Sequence, residues 1–123
     1  MGTRGVIAAV LMGLGAMLAP GGAAAQNYGA IAYSPSTGAD GWAVNYPSRA
    51  MAERVALQDC RRYADDCAVQ LWFRDACGAL AVGANGYGTG WGTSPGIADS
   101  YAIQTCRKYT SNCAVRRREC TLR

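Results

Sequence analysis

Tyr28-Gly29-Ala30-Ile31-Ala32 returns as Cys77-Gly78-Ala79-Leu80-Ala81, and Gly41-Trp42 returns as Gly90-Trp91, each at an offset of 49 positions. Matches that share one offset are the mark of an internal duplication. After a shortening of three residues the agreement resumes at an offset of 46. Ala52, Val55, Ala56, Leu57, Cys60, Arg61, Tyr63, Cys67 and Val69 then stand opposite Ala98, Tyr101, Ala102, Ile103, Cys106, Arg107, Tyr109, Cys113 and Val115. Chance does not repeat cysteines and aromatics in one order over so many positions.

Each half reads as the same four elements. In the first, residues 30–34 form a strand, Ser34-Pro35-Ser36-Thr37-Gly38 a turn, and residues 41–46 a second strand with Trp42, Val44 and Tyr46 on one face. Pro47-Ser48 leads into a helix over 49–63, with Ala52, Val55, Ala56, Cys60 and Tyr63 at helical spacing, and residues 68–73 form a third strand. In the second half Asn85-Gly86 signals a tight hairpin between strands near 79–83 and 88–93. Ser94-Pro95 places a helix cap before proline at the first helical position, opening a helix to Tyr109, with Ala98, Tyr101, Ala102, Cys106 and Tyr109 as its buried stripe. Residues 113–119 close the chain as a strand. The expected fold is α+β: two ββαβ repeats, about 28–76 and 77–120, sharing one mainly antiparallel sheet with two helices packed on it. Neither repeat alone is large enough to bury much.

Ahead of the repeats, Arg4, the uncharged apolar run from Val6 to Ala19, the break at Pro20-Gly21-Gly22 and the triplet Ala23-Ala24-Ala25 read as a Sec-type signal peptide over 1–25, cut near Ala25-Gln26. The apolar run is short of the roughly 20 residues a spanning helix needs, so no stable membrane insertion is expected after cleavage. Residues 26–123 are then a single exported domain, secreted or periplasmic, in an oxidising compartment. Without Arg4 the balance is eleven Lys and Arg against eight Asp and Glu, a net of +3. Arg61-Arg62, Arg107-Lys108 and Arg116-Arg117-Arg118 read as solvated surface charge, and no nucleic-acid motif accompanies them.

The repeated G-A-[IL]-A strand, the G-W pair, the A-x-x-x-A-[LI]-x-x-C-R-x-Y-x-x-x-C helix exit and the junction Cys77-Gly78-Ala79-Leu80-Ala81-Val82-Gly83 resemble the bacterial secreted proteins grouped as domain of unknown function 4189. The resemblance runs from Tyr28 to Cys120. It implies a shared fold and carries over no catalytic residue, since the family has no assigned activity.

Six cysteines allow fifteen pairings, and the duplication narrows them, because Cys60 and Cys67 hold the places of Cys106 and Cys113. Each such pair joins a helix end to the next strand. Cys77 and Cys120 remain, at the first and last strands of the second half. The expected bridges are therefore Cys60–Cys67, Cys77–Cys120 and Cys106–Cys113, staples for a small exported core. Zinc prefers closer pairs, often with histidine, and the chain has no histidine at all; a redox dithiol would show C-x-x-C, which is absent. No metal and no cofactor is expected.

The glycine-rich run Gly83 to Gly92 fits no G-x-G-x-x-G spacing and is not followed by a phosphate-loop lysine, so it reads as a strand and hairpin beneath a helix. Paired-carboxylate hydrolysis would need two of Asp40, Glu53, Asp59, Asp65, Asp66, Asp75, Asp99 and Glu119 in one pocket, whereas most fall in turns or on outer helix faces. Serine has no histidine to activate it, and Lys108 is the only lysine. The sequence assigns no catalytic residue and points away from an enzyme. Trp72 shares a strand face with Gln70 and Arg74, opposite Val69, Leu71 and Phe73, and is the leading exposed aromatic. Trp72, Arg74, Trp42, Trp91 and Tyr87 are the candidate binding residues, set against the alternative that the tryptophans pack in a duplicated core. The expected function is a small exported non-catalytic binding or inhibitor module acting on a protein partner in the envelope or outside the cell. Its competitors are a cell-wall glycan-binding domain and a small carboxylate-dependent hydrolase.

Overall fold

In the computed structural model, which describes residues 26–122, the duplicated strand is the middle strand of each half. β1 (Tyr28–Tyr33) lies between β2 (Asp40–Tyr46) and β3 (Ala68–Arg74), and β4 (Cys77–Val82) lies between β5 (Tyr87–Gly92) and β6 (Ala114–Cys120), all pairings antiparallel. Helix α1 (Arg49–Arg61) covers the first sheet and α2 (Pro95–Arg107) the second. Ser48 and Ser94 cap them, their hydroxyls accepting the N–H groups of Met51 and Ile97. The export signal read at residues 1–25 lies outside the described residues.

The expectation of one shared sheet is corrected: there are two three-stranded sheets, stacked face to face between the two helices. The reason lies in the middle strands, which are apolar on both faces. Ala30 and Ala32 meet Ala52, Ala56 and Cys60 of α1, and Ala79 and Ala81 meet Ala98, Ala102 and Cys106 of α2. The alternate residues, Ile31 and Tyr33 in β1 and Leu80 in β4, join Phe73 in a third cluster between the sheets. A single six-stranded layer would leave that second face in water; stacking buries it.

The duplication holds in three dimensions, with one register corrected. A Cβ at Gly41 would lie 2.2 Å from the Cys60 backbone nitrogen, and one at Gly88 the same 2.2 Å from that of Cys106. Gly88, rather than Gly90, is the counterpart of Gly41, and Thr89 takes the place of Trp42. The pairings agree, since Trp42 stands opposite Ile31 and Thr89 opposite Leu80. The β1–β2 connection spans 34–39 and the β4–β5 connection only 83–86, so two residues are lost in the hairpin. The third is lost at Asn45, a bulge residue at φ 68° in β2 with no equivalent in β5.

β3 and β6 carry matching bulges at Gln70 and Arg116, where the register slips. Leu71 therefore pairs with seam-facing Ile31 while Val69 pairs with helix-facing Ala32, so Val69 parts company with Leu71 and Phe73. The tyrosine stripe is also corrected: Tyr63, Tyr101 and Tyr109 are 64%, 54% and 70% exposed. Each helix lies so close to its sheet that alanine and cysteine fill the interface and the tyrosines splay outward.

Disulfides join Cys60 to Cys67, Cys106 to Cys113 and Cys77 to Cys120, the last tying directly paired positions of β4 and β6. Only Asp75 and Ala76 separate β3 from β4. Beside that link lies the other end of the chain: the Ala76 N–H donates to Thr121 Oγ1 at 2.9 Å, the Thr121 N–H to the Ala76 carbonyl at 2.9 Å, and Asn27 Nδ2 to the Leu122 carbonyl at 2.9 Å.

Candidate functional site

Stacking the sheets sets β2 beside β6 on one side of the molecule and β3 beside β5 on the other. The two sides are related by the duplication, yet their chemistry differs. On the β2/β6 side Arg117 Nε donates to Asp40 Oδ2 at 2.7 Å and Nη1 to Glu119 Oε2 at 3.2 Å, and the guanidinium lies 5.7 Å from the Trp42 ring centroid. The hydrogen bond to Asp40 holds the Arg117 pKa above its already high ordinary value. Asp59 Oδ2 accepts the Trp42 backbone N–H at 3.1 Å, closing the outer edge of β2. Arg116 and Arg118 stand exposed along β6. Ionic groups close the seam on this side, and an open hollow of about 470 Å³ lined by Trp42, Val55, Gln58, Asp59 and Arg62 lies outside it.

On the β3/β5 side Leu71 takes the place of Arg117, and the seam ends in an open groove of about 550 Å³ lined by residues 70–74 and Trp91. Trp91 is 57% exposed and Trp72 41%. Arg49 of α1 stands 4.5 Å from the Trp72 ring and Arg74 5.9 Å from that of Tyr28, itself 6.1 Å from Trp72. Trp72, Arg74 and Trp91 thus meet at one groove. Trp42 lies on the opposite side, half-buried beside Arg117. Tyr87 belongs to the seam: its ring packs edge-on to Tyr33 at 5.1 Å, and its hydroxyl donates to Gln70 Oε1 at 3.1 Å. The β3 bulge aims Gln70 across the seam, a role alternation alone does not assign. Ile97 and Tyr101, exposed on α2, continue the apolar surface beyond Trp91. Their helical spacing was visible in the sequence but equally described a buried face.

The carboxylates hold the fold together. Asp40 and Glu119 take Arg117, Glu53 takes Arg49, Asp99 takes Arg118, Asp59 takes the Trp42 N–H and Asp75 the Asn27 N–H. Asp66 accepts hydrogen bonds from Ser34 Oγ and, at 2.6 Å, from Ser36 Oγ, tying the β1–β2 turn to the loop before β3. Those two hydroxyls lower the Asp66 pKa. A carboxyl with a depressed folded-state pKa stabilises above its unfolded value, and that contribution is lost as pH falls through the folded one. The stability difference between the wild type and Asp66→Asn should therefore be steady near neutrality and close below about pH 4, as read by denaturant midpoints across pH. A difference that stays constant down to the acid limit would show that the carboxylate charge contributes nothing. All six cysteines are in disulfides, and no group of three metal-binding side chains gathers among the described residues. No helix among them is long and apolar enough to cross a membrane.

A family model described as Domain of unknown function (DUF4189) matches residues 28–120. The chain belongs to that family. Proteins of similar sequence are the protein Rv1269c of Mycobacterium tuberculosis (strain ATCC 25618 / H37Rv) and the protein Mb1300c of Mycobacterium bovis (strain ATCC BAA-935 / AF2122/97), each 46% identical to this DUF4189 chain over 69 residues. That match covers 56% of this chain and 52% of each relative, about half their length. Among solved structures, the NMR structure of Rv1813c from Mycobacterium tuberculosis is similar at a TM-score of 0.57 and 33% identity, covering 76% of this chain and 74% of that one.

Proposed function

We propose that this DUF4189 chain is an exported, non-catalytic binding module that engages a protein partner, as an inhibitor would, through its β3/β5 side. The observation that carries the reading is the pair of exposed tryptophans, Trp72 and Trp91, at an open groove whose duplicated counterpart is closed by Arg117 with Asp40 and Glu119. Half-exposed tryptophans beside an arginine are the side chains that anchor protein interfaces. Three disulfides support a life in an oxidising compartment, with residues 1–25 as the export signal that delivers it to the periplasm or the exterior.

Immobilised mature chain should retain a specific protein from envelope or culture extracts. Trp72→Ala and Trp91→Ala should each weaken that retention by about 2 kcal/mol, roughly thirtyfold, while the distant Tyr63→Ala leaves it unchanged. Retention indifferent to both tryptophans would remove the groove from the reading. A cell-wall glycan stacking on the same rings is the competing reading; binding to purified peptidoglycan that is lost in Trp72→Ala would put it first. Turnover of wall fragments would favour a hydrolase.

A further inference from the structure

The four outer strands differ in how their unpaired edges are treated. An open edge offers a row of peptide N–H and C=O groups to any passing strand, and folded proteins block such edges with charge or a covering group. β2 is blocked by Asp59, which takes the Trp42 N–H. β6 carries exposed Arg116 and Arg118, and β3 is flanked by Arg74 and by Arg49 over Trp72. Among the described residues β5 has no such device. Thr89 holds the place of Trp42 and Thr105 that of Asp59, and no hydrogen bond joins the two.

The outer edge of β5 also faces a trough. Two adjoining hollows of about 360 and 590 Å³ share Thr89 and Thr105 and run the length of the strand, walled by Ile97 and Tyr101 of α2 and by Tyr109 in the turn that follows it. No residue lining either hollow is charged. We propose that β5 is a strand-addition site, whose unblocked edge takes an uncharged, extended segment of a partner protein as a fourth strand of the second sheet. This deepens the protein-partner reading above and rests on it.

Both properties of the occupant follow from the trough. Its floor is a six-residue strand edge, whose repeat another extended backbone matches group for group. Its walls offer aromatic faces and threonines without an ion to meet one, so a carboxylate or ammonium laid there would lose water and gain no partner. Trp91, at the end of β5 next to β3, links this trough to the tryptophan groove.

Thr105→Asp tests the idea by copying onto α2 the carboxylate that closes β2. The disulfide-intact chain is titrated with two pools of short end-blocked peptides, one of Val, Thr, Tyr and Ser only, the other with Glu or Lys at alternate positions, and with chito-oligosaccharides. The uncharged pool should bind, shift the Thr89 and Trp91 amides and slow their hydrogen exchange. Thr105→Asp should weaken that binding by at least about tenfold with the melting temperature unchanged. If Thr105→Asp unfolds the chain, Thr89→Pro removes the same donor from an edge where proline is tolerated, and the same loss is expected. Equal binding of the charged pool, no binding of either pool, binding of the saccharide alone, or a dimer that Thr105→Asp dissociates would each overturn strand addition. Should the peptides fail while an envelope protein is still retained through Trp72 and Trp91, strand addition falls and the protein-partner reading stands.

Discussion

Phe73→Ala should lower the unfolding free energy by about 3 to 5 kcal/mol, the range for emptying a well-packed aromatic site. Phe73 is the only phenylalanine in the chain and is 2% exposed, between the sheets. Its ring lies over two backbones: a Cβ at Gly29 would approach its Cε2 and Cζ to 2.5 Å, and one at Gly78 its Cε1 to 2.4 Å. Those glycines are duplicates of one another, so one ring fills a notch in each sheet. Neighbours fixed on both sides cannot close on the cavity, which puts the cost in the upper part of the range. Urea midpoints and slopes under non-reducing conditions measure it, and Phe73→Leu should recover part of the loss. A change below about 1 kcal/mol would mean that the seam between the sheets contributes little to stability.

The second large effect belongs to the Cys77–Cys120 bridge. It spans 43 residues where each of the others spans 7. In the chain-entropy account, releasing it frees the unfolded chain by about 4 kcal/mol, against about 2 to 3 kcal/mol for a short bridge. Replacing both Cys77 and Cys120 by Ala should therefore lower stability most. Cys60, Cys77 and Cys106 are buried, so alanine pairs are the cleaner substitutions for all three bridges, avoiding a buried hydroxyl. Larger losses from the short bridges, compared by denaturant midpoint, would show that native packing around their sulfurs outweighs loop closure.

The bridge positions, both helices and all six strands were legible because the duplication doubles each weak local signal: two serine caps, two helices ending in Cys-Arg, two short Cys-to-Cys reversals. Stacking was not. Gly-Ala-Ile-Ala and Gly-Ala-Leu-Ala are apolar at every position, which fits a strand buried on both faces but does not say whether a helix or a second sheet covers each face. The Gly-Trp match misled because identical residues outweighed a hairpin two residues shorter. Of the candidate site, Trp72 and Arg74 could be read from alternation along β3. Their meeting with Trp91 could not, since β3 and β5 are neighbours only through the stacking of sheets, a tertiary fact without a local signature.

The hydrogen bonds between Ala76 and Thr121 give the molecule the geometry of a fused homodimer. The link between the repeats and the far end of the chain occupy equivalent corners, side by side, as the two ends of a symmetric pair would. A half-chain that once associated with its own copy would have had its carboxyl end already beside its partner's amino end. In this chain a join of two residues, Asp75 and Ala76, makes that connection. Because both halves lie in one chain, the two sides need not be identical, and arginine closes one while tryptophan stands open on the other.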